Sequence, residues 1–192
     1  MQSDNSLALQ VIEWLQQVPY ADADNPCPSS RPEKKIDYET WFRSGRQIKG
    51  SEAALLKLLR THDSRVDLAQ VAYALGWVGG SPSVPVLIEA LGSDNSRVRV
   101  EAAASLGRLG DSRAVEPLCK RLSHDSDNNV RANACVALGM IGDYRAESYL
   151  HSALSDKSEF VAKLAKEALD RIAKKPKKTQ PRITTGERRG QS

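Results

Sequence analysis

The chain has 192 residues, with 28 Lys plus Arg against 24 Asp plus Glu, 3 Cys, and 10 aromatic residues beside 22 Ala and 20 Leu. That length holds one or at most two domains, and alanine and leucine favour helix over sheet, which prefers branched and aromatic side chains. No apolar run reaches the roughly 20 residues of a bilayer span, three cysteines do not staple a chain this long, and Met1–Asn5 lacks the basic start of a secretory signal, so a soluble, cytoplasmic, all-helical protein is expected.

In chain order, Leu7, Val11, Trp14, Leu15 and Val18 share one face of an amphipathic helix that Asp4 or Ser3 can cap. Pro19, Pro26, Pro28 and Pro32 then fall within 14 residues, the mark of a linker or irregular loop. Residues 1–35 therefore stand apart from the rest of the chain. Their helix is expected to dock on the first repeat; presentation to a partner is the other use. Ile36 to Lys49 reads as a worn helix carrying Trp41, Phe42, Gly45 and Ile48. Ser51 to Leu59 reads as the helix that pairs with it.

From there the chain repeats itself. Leu75-Gly76-Trp77-Val78-Gly79 returns as Leu106-Gly107-Arg108-Leu109-Gly110 after 31 residues and as Leu138-Gly139-Met140-Ile141-Gly142 after 32 more. A fourth copy, Leu169-Asp170-Arg171-Ile172-Ala173, has lost both glycines. Each copy predicts two helices. In the first, small or apolar residues recur at i, i+3, i+4 and i+7, as in Val71, Ala74, Leu75 and Val78. The aligned columns are Val71, Ala102, Ala134 and Ala165, and then Ala74, Ser105, Ala137 and Ala168. Small side chains there admit a close neighbour, and the paired glycines are expected to end the helix. In the second helix, Val84, Leu87, Ile88 and Leu91 align with Val115, Leu118, Cys119 and Leu122. Pro85 and Pro117 are tolerated there only within the first turn.

One copy cannot bury its own apolar face, but a stack of copies can. The predicted architecture is an all-α solenoid, an alpha-alpha superhelix of about four helical-hairpin repeats over residues 36–173 with a charged closing helix at about 158–173. Residues 174–192 form a tail carrying Lys174, Lys175, Lys177, Lys178, Arg182, Arg188 and Arg189 against Glu187 alone. The tail is net +6 and the rest of the chain net −2. Its polar, proline- and glycine-bearing composition predicts disorder. Its uses are a solubilising end or an electrostatic arm for nucleic acid or another anionic surface.

The run Val98-Arg99, Ala102-Ala103, Leu106-Gly107-x-Leu109-Gly110-Asp111-x-Arg113-Ala114-Val115-Glu116-Pro117-Leu118 resembles the short HEAT-like repeat of the phycobilisome-lyase type. Val130-Arg131, Leu138-Gly139-x-Ile141-Gly142-Asp143-x-Arg145-Ala146 is similar to it too. The likeness covers roughly residues 36–173. It implies the solenoid fold. Its functional range is wide: chromophore lyases of cyanobacterial antenna proteins, phycobilisome-degradation adaptors and accessory modules on enzymes. Fold does not carry function across such a set. The resemblance implies a structural role for the repeated arginine, Arg99 and Arg131, pairing with loop aspartates such as Asp94 and Asp125. An anion site is the functional alternative.

Catalytic chemistry finds no footing in the residues. Cys27, Cys119 and Cys135 lack metal-ligand spacing, and His62, His124 and His151 lie in separate copies. Cys119 and Cys135 fall in core columns as small apolar fillers, and Cys27 reads as an exposed loop thiol. Metal hydroxylation on HEAT scaffolds uses His-Glu pairs, and the chain has no His-Glu dipeptide. No nucleophilic triad or phosphate-cradling loop is legible, so no catalytic, cofactor or metal residue is expected.

The expected function is a non-catalytic protein-interaction module or adaptor. Its contact surface is expected to be a concave groove lined by the second helices, with Pro85, Glu89, Glu116, Lys120, Ser148 and Ser152 on their polar face. Trp77 stands in a column with Arg108, Met140 and Arg171, and reads as a binding hot spot or as packing against the next repeat. Glu147 and His151 occupy columns that are apolar elsewhere, and read as a looser core near the end of the stack or as a polar contact point. The alternatives are a bilin lyase subunit acting with a partner chain on antenna proteins, and nucleic-acid association through the tail.

Overall fold

The computed structural model describes residues 50–60 and 67–175. Among these residues there are eight α-helices and no strand: α1 (Ser51–Arg60), α2 (Leu68–Val78), α3 (Ser83–Ala90), α4 (Ser96–Leu109), α5 (Val115–His124), α6 (Asn128–Ile141), α7 (Glu147–Ala153) and α8 (Glu159–Lys174). Short 3-10 turns, Ser112–Ala114 and Tyr144–Ala146, lead into α5 and α7. The amphipathic helix and loop of residues 1–35, the worn helix of 36–49, His62 and most of the basic tail lie outside the described residues.

Three of the first helices, α2, α4 and α6, start where a short polar side chain takes over an unpaired backbone donor. The Asp67 carboxylate accepts from the Ala69 N–H at 3.0 Å, Asn95 Oδ1 from Arg97 at 3.0 Å and Asp127 Oδ1 from Asn129 at 2.8 Å. Gly110 and Gly142 end α4 and α6 in the left-handed region, with φ of 69° and 68°. Pro85 and Pro117 are the third residues of α3 and α5, where no helical N–H is missed.

The helices form two layers. The first helices α2, α4, α6 and α8 pack side by side along much of their length. The second helices α1, α3, α5 and α7 form the other layer and touch one another far less. Between the layers runs one continuous core. Leu55, Leu75, Leu87, Leu106, Leu118, Leu138 and Leu150 are fully buried in it, as are Ala74, Ala102, Ala134, Ala137 and Ala165. Ser105 enters the alanine column because its Oγ donates to the Ala72 carbonyl at 2.8 Å, so the polar atom is satisfied.

The first glycine of each pair does not end a helix, contrary to the expectation from sequence. Gly76, Gly107 and Gly139 sit inside α2, α4 and α6, against the backbone of the following first helix. A Cβ on Gly76 would lie 2.8 Å from Ser105 Cα, one on Gly107 2.7 Å from Ala137 Cα, and one on Gly139 2.9 Å from Ala168 Cα. The motif thus has two uses: one glycine sets the spacing of the layer and the next one stops the helix. Gly79 stops α2 without a left-handed turn, at φ −76°.

Candidate interaction surface

A two-layer stack bends toward the layer whose members approach more closely. The glycine contacts make the first helices that layer, so α2, α4, α6 and α8 form the inner face. The expectation that the second helices line the concave side is thereby corrected. Pro85, Glu89, Glu116, Lys120, Ser148 and Ser152 are all exposed on the second-helix layer, in register along α3, α5 and α7. They form a polar ridge on the outside of the bend.

The inner face carries a different set. Residues of the column that follows the helix glycine, or Asp170 in the last copy, lean over the preceding helix: a Cβ on Gly107 would meet Met140 Sδ at 3.5 Å, and one on Gly139 would meet Arg171 Cδ at 3.5 Å. Trp77, Arg108, Met140 and Arg171 therefore lie in one row across the four first helices. At the head of the row the Arg108 guanidinium carbon sits 4.6 Å from the Trp77 ring centre and 5.0 Å from that of Tyr73. The two rings meet edge to face, 6.2 Å apart. Burial among the rings pulls the Arg108 guanidinium below its ordinary pKa, and the fields of Tyr73 and Glu101 oppose that. Trp77 is half-buried, so it does pack against the next copy. Met140, 40% exposed, continues the row as an apolar step, and Arg171 closes it.

The repeated arginines are buried and fully engaged. Arg99 donates through Nε and Nη2 to Asp125 at 2.9 and 2.8 Å, and through Nη1 to the carbonyls of Ser93 and Asp94 at 2.9 and 3.1 Å. Arg131 repeats the arrangement one copy on, with Asp156 at 2.8 and 2.9 Å and the carbonyls of Asp125 and Ser126. All three nitrogens of each guanidinium bond within the stack and take four of its five N–H donors, which leaves too few for an anion site. Pairing with Asp125 is as expected. Asp94 contributes its backbone carbonyl instead, because the matching arginine of the preceding copy is Leu68. Burial alone would raise the Asp125 carboxyl; hydrogen bonds from Arg99 and the Asp127 N–H outweigh it and hold the group below its usual range. The Arg131 hydrogen bonds lower Asp156 likewise.

A second arginine series was not singled out from sequence. Arg113 and Arg145 each pair with the aspartate two residues before, at 2.7 Å, and reach back one copy to the carbonyls of Ser81 and Ser112 at 3.2 Å. The signal was the Asp-x-Arg spacing just before α5 and α7. These staples are half exposed.

Glu147 and His151 are exposed, so they are not a looser core. Their columns hold buried Val84 and Val115, and half-buried Ile88 and buried Cys119, where another second helix follows. None of the described residues follows α7 in that layer. Leu154, in the column of buried Leu91 and Leu122, is 41% exposed for the same reason. The last second helix therefore shows a mostly polar end, as a terminal repeat does.

At the other boundary, α8 runs through Lys174, and Lys175 Nζ donates to the Met140 and Ile141 carbonyls at 2.8 Å each. The two lysines assigned to the tail thus belong to the folded stack; Lys177, Lys178, Arg182, Arg188 and Arg189 lie outside the described residues. Cys119 and Cys135 are buried free cysteines. Burial pushes their thiols up to about 11 and about 12. Among the described residues no three His, Cys, Asp or Glu side chains converge as metal ligands would, and no helix is long and apolar enough to cross a membrane.

Comparison with known proteins agrees with this geometry. Deoxyhypusine hydroxylases of Chaetomium globosum and Gibberella zeae are each 38% identical over 60 residues, 30% of this chain. The matched stretch spans only 17% and 18% of those proteins. Among solved structures, an engineered protein superposes with a TM-score of 0.59 at 24% identity, over 70% of this chain and 67% of its own. The complex of CpcE and CpcF of phycocyanin lyase from Nostoc sp. PCC7120 gives 0.58 at 23% identity, over 83% and 71%. Human deoxyhypusine hydroxylase gives 0.58 at 25% identity, over 88% and 55%. The family pattern described as HEAT repeats matches residues 52–131 and 115–181, most of the chain, and the protein belongs to the HEAT-repeat family.

Proposed function

We propose that the chain is a non-catalytic interaction module that takes a protein partner on its inner face, along the row from Trp77 to Arg171. The observation that carries this reading is the Arg108 guanidinium held over the Trp77 and Tyr73 rings, on a layer whose spacing is set by backbone contact. Trp, Tyr, Met and Arg are the residue types enriched where proteins meet, and a rigid platform loses little entropy when it binds. The outer ridge offers two acids, one lysine, two serines and a proline, without an aromatic anchor.

Affinity capture from native lysate tests the choice of face. Trp77→Ala with Arg108→Glu is expected to remove the captured partner, whereas Glu89→Lys with Lys120→Glu on the outer ridge leaves it. The reverse pattern overturns the inner-face reading in favour of the ridge.

The lyase alternative is supported by the repeat type and by the likeness to the phycocyanin lyase complex. Co-expression with bilin-producing enzymes and an apo-antenna subunit tests it; absence of a covalent absorbance change removes it. Hydroxylase chemistry is not proposed, since the chain has no His-Glu dipeptide. Nucleic-acid association through the tail predicts a salt-sensitive gel shift that substitution of Lys177, Lys178, Arg182, Arg188 and Arg189 abolishes.

A further inference from the structure

We infer that the inner face is occupied within the same molecule by the acidic amphipathic segment of residues 4–18. This deepens the reading of the face as a docking surface and rests on it. The charges on the two sides are complementary. Residues 4–18 hold Asp4 and Glu13 and no Lys or Arg, a net −2. On the inner face, positions one to three turns before each member of the row share its stripe. Together with the row they contribute Arg97, Arg108 and Arg171 against Glu101 and Glu167, a net +1.

The sizes agree as well. A helix over residues 4–18 is about 22 Å long at 1.5 Å per residue. Helices packed at about 8–10 Å place Trp77, Arg108 and Met140 about 16–20 Å apart from first to last. One such segment laid across the layer therefore covers three members of the row, its Leu7, Val11, Trp14, Leu15 and Val18 stripe facing the rings and the methionine. The 31 residues between Val18 and Gly50, extended, reach about 100 Å, so the tether does not limit the pose. It does set the segment's local concentration, in the millimolar range for a short tether. A partner must then displace the segment to use the face.

The test uses the full chain and a fluorescein-labelled synthetic peptide of residues 1–20, read by anisotropy. Val11→Ser with Leu15→Ser removes the apolar stripe from the chain's own segment and so vacates the face. The peptide is expected to bind this variant at least tenfold more tightly than it binds the wild type. Adding Arg108→Glu is expected to weaken that binding at least tenfold, and Met140→Glu does the same should Arg108→Glu fail to fold by circular dichroism. Glu89→Lys with Lys120→Glu is expected to leave it unchanged. No binding to the vacated chain, equal binding to both chains, or loss only with the outer-ridge pair overturns the inference. If the peptide fails while Arg108→Glu still abolishes partner capture, the interaction face stands and only its intramolecular occupant falls.

Discussion

Replacing Arg99 with alanine isolates the contact that ties one repeat to the next. The wild-type side chain makes two charge-assisted hydrogen bonds to Asp125 and two more to loop carbonyls. Asp125 has a side-chain exposure of only 2%. Removing the cation leaves a buried carboxylate whose remaining side-chain partner is Arg121, at 3.4 Å, and two carbonyls short of a donor. Breaking a buried pair costs about 3–5 kcal/mol. The residual Arg121 contact places Arg99→Ala at about 3 kcal/mol, the low end of that range. Urea denaturation of the full chain at pH 7 measures it. The pH dependence provides an independent check. In the wild type Asp125 is held below its unfolded value, so its contribution is present above the ordinary carboxylate range and is lost as pH falls through the folded value. Without Arg99 the strongest lowering contact is gone while burial still opposes ionisation, so the carboxyl moves up from its wild-type value and protonation costs the variant less as pH falls from 7 toward 4. The gap between the two proteins should therefore narrow on acidification. A loss under about 0.5 kcal/mol at pH 7, the size of an ordinary surface substitution, or a gap that stays constant down to pH 4, refutes the reasoning.

The two glycine roles separate by substitution. Gly110→Ala meets no atom within 4 Å but keeps φ at 69°, and should cost about 1–2 kcal/mol through left-handed strain. Gly76→Ala must push α4 away from α2, since its Cβ would lie 2.8 Å from Ser105 Cα. An overpacking penalty of about 1–3 kcal/mol is partly offset by alanine's better helix propensity, about 1 kcal/mol. Its diagnostic is a loss of the Arg108–Trp77 contact, visible in tryptophan fluorescence, which Gly110→Ala should not show. Cys119 and Cys135, with thiols raised to about 11 and 12, should label with maleimide at pH 7.5 only as fast as the chain opens; rapid native labelling at either site by peptide mapping contradicts the burial. Met140→Arg, at a 40% exposed position, should change stability by no more than about 0.5 kcal/mol while removing partner capture. A large drop in thermal midpoint would show that the row is part of the core.

The solenoid was legible because its determinants are local and repeated. Leu75, Leu106 and Leu138 with their alanine neighbours report the same buried helix face in copy after copy, and Pro85 and Pro117 mark where the second helices begin. What the pattern did not reveal is which layer is inner. That depends on the distance between neighbouring backbones, and Gly76, Gly107 and Gly139 were legible as helix ends but not as contact points. A glycine followed three residues later by another is open to both readings until the neighbouring helix is in place. Glu147 and His151 misled for a related reason. A column is buried only while another helix follows, and a repeat alignment does not say where its own cover stops. The arginine partners were half legible: the resemblance implied that Arg99 pairs with the loop aspartates, but the side-chain pairing runs forward to Asp125, not back to Asp94.

These columns divide the labour within each copy, and the division locates function. The positions that recur (the leucines, the alanines, the helix glycines and the paired arginine and aspartate) are buried or close the joint between copies, and each constrains its neighbours so tightly that little chemistry is free to vary. The row position is Trp, Arg, Met and Arg in successive copies, the first three following a helix glycine and the last following Asp170. Packing does not demand any of those four, since each is accepted at an equivalent site. Gly76, Gly107 and Gly139 nevertheless limit how closely α4, α6 and α8 approach the helix before each, which fixes the spacing of Arg108, Met140 and Arg171. A row that is rigid in placement and unconstrained in type is where a stack of near-identical copies can carry a specific surface. The outer ridge varies too, but its helices touch one another little, so its side chains lack that fixed register.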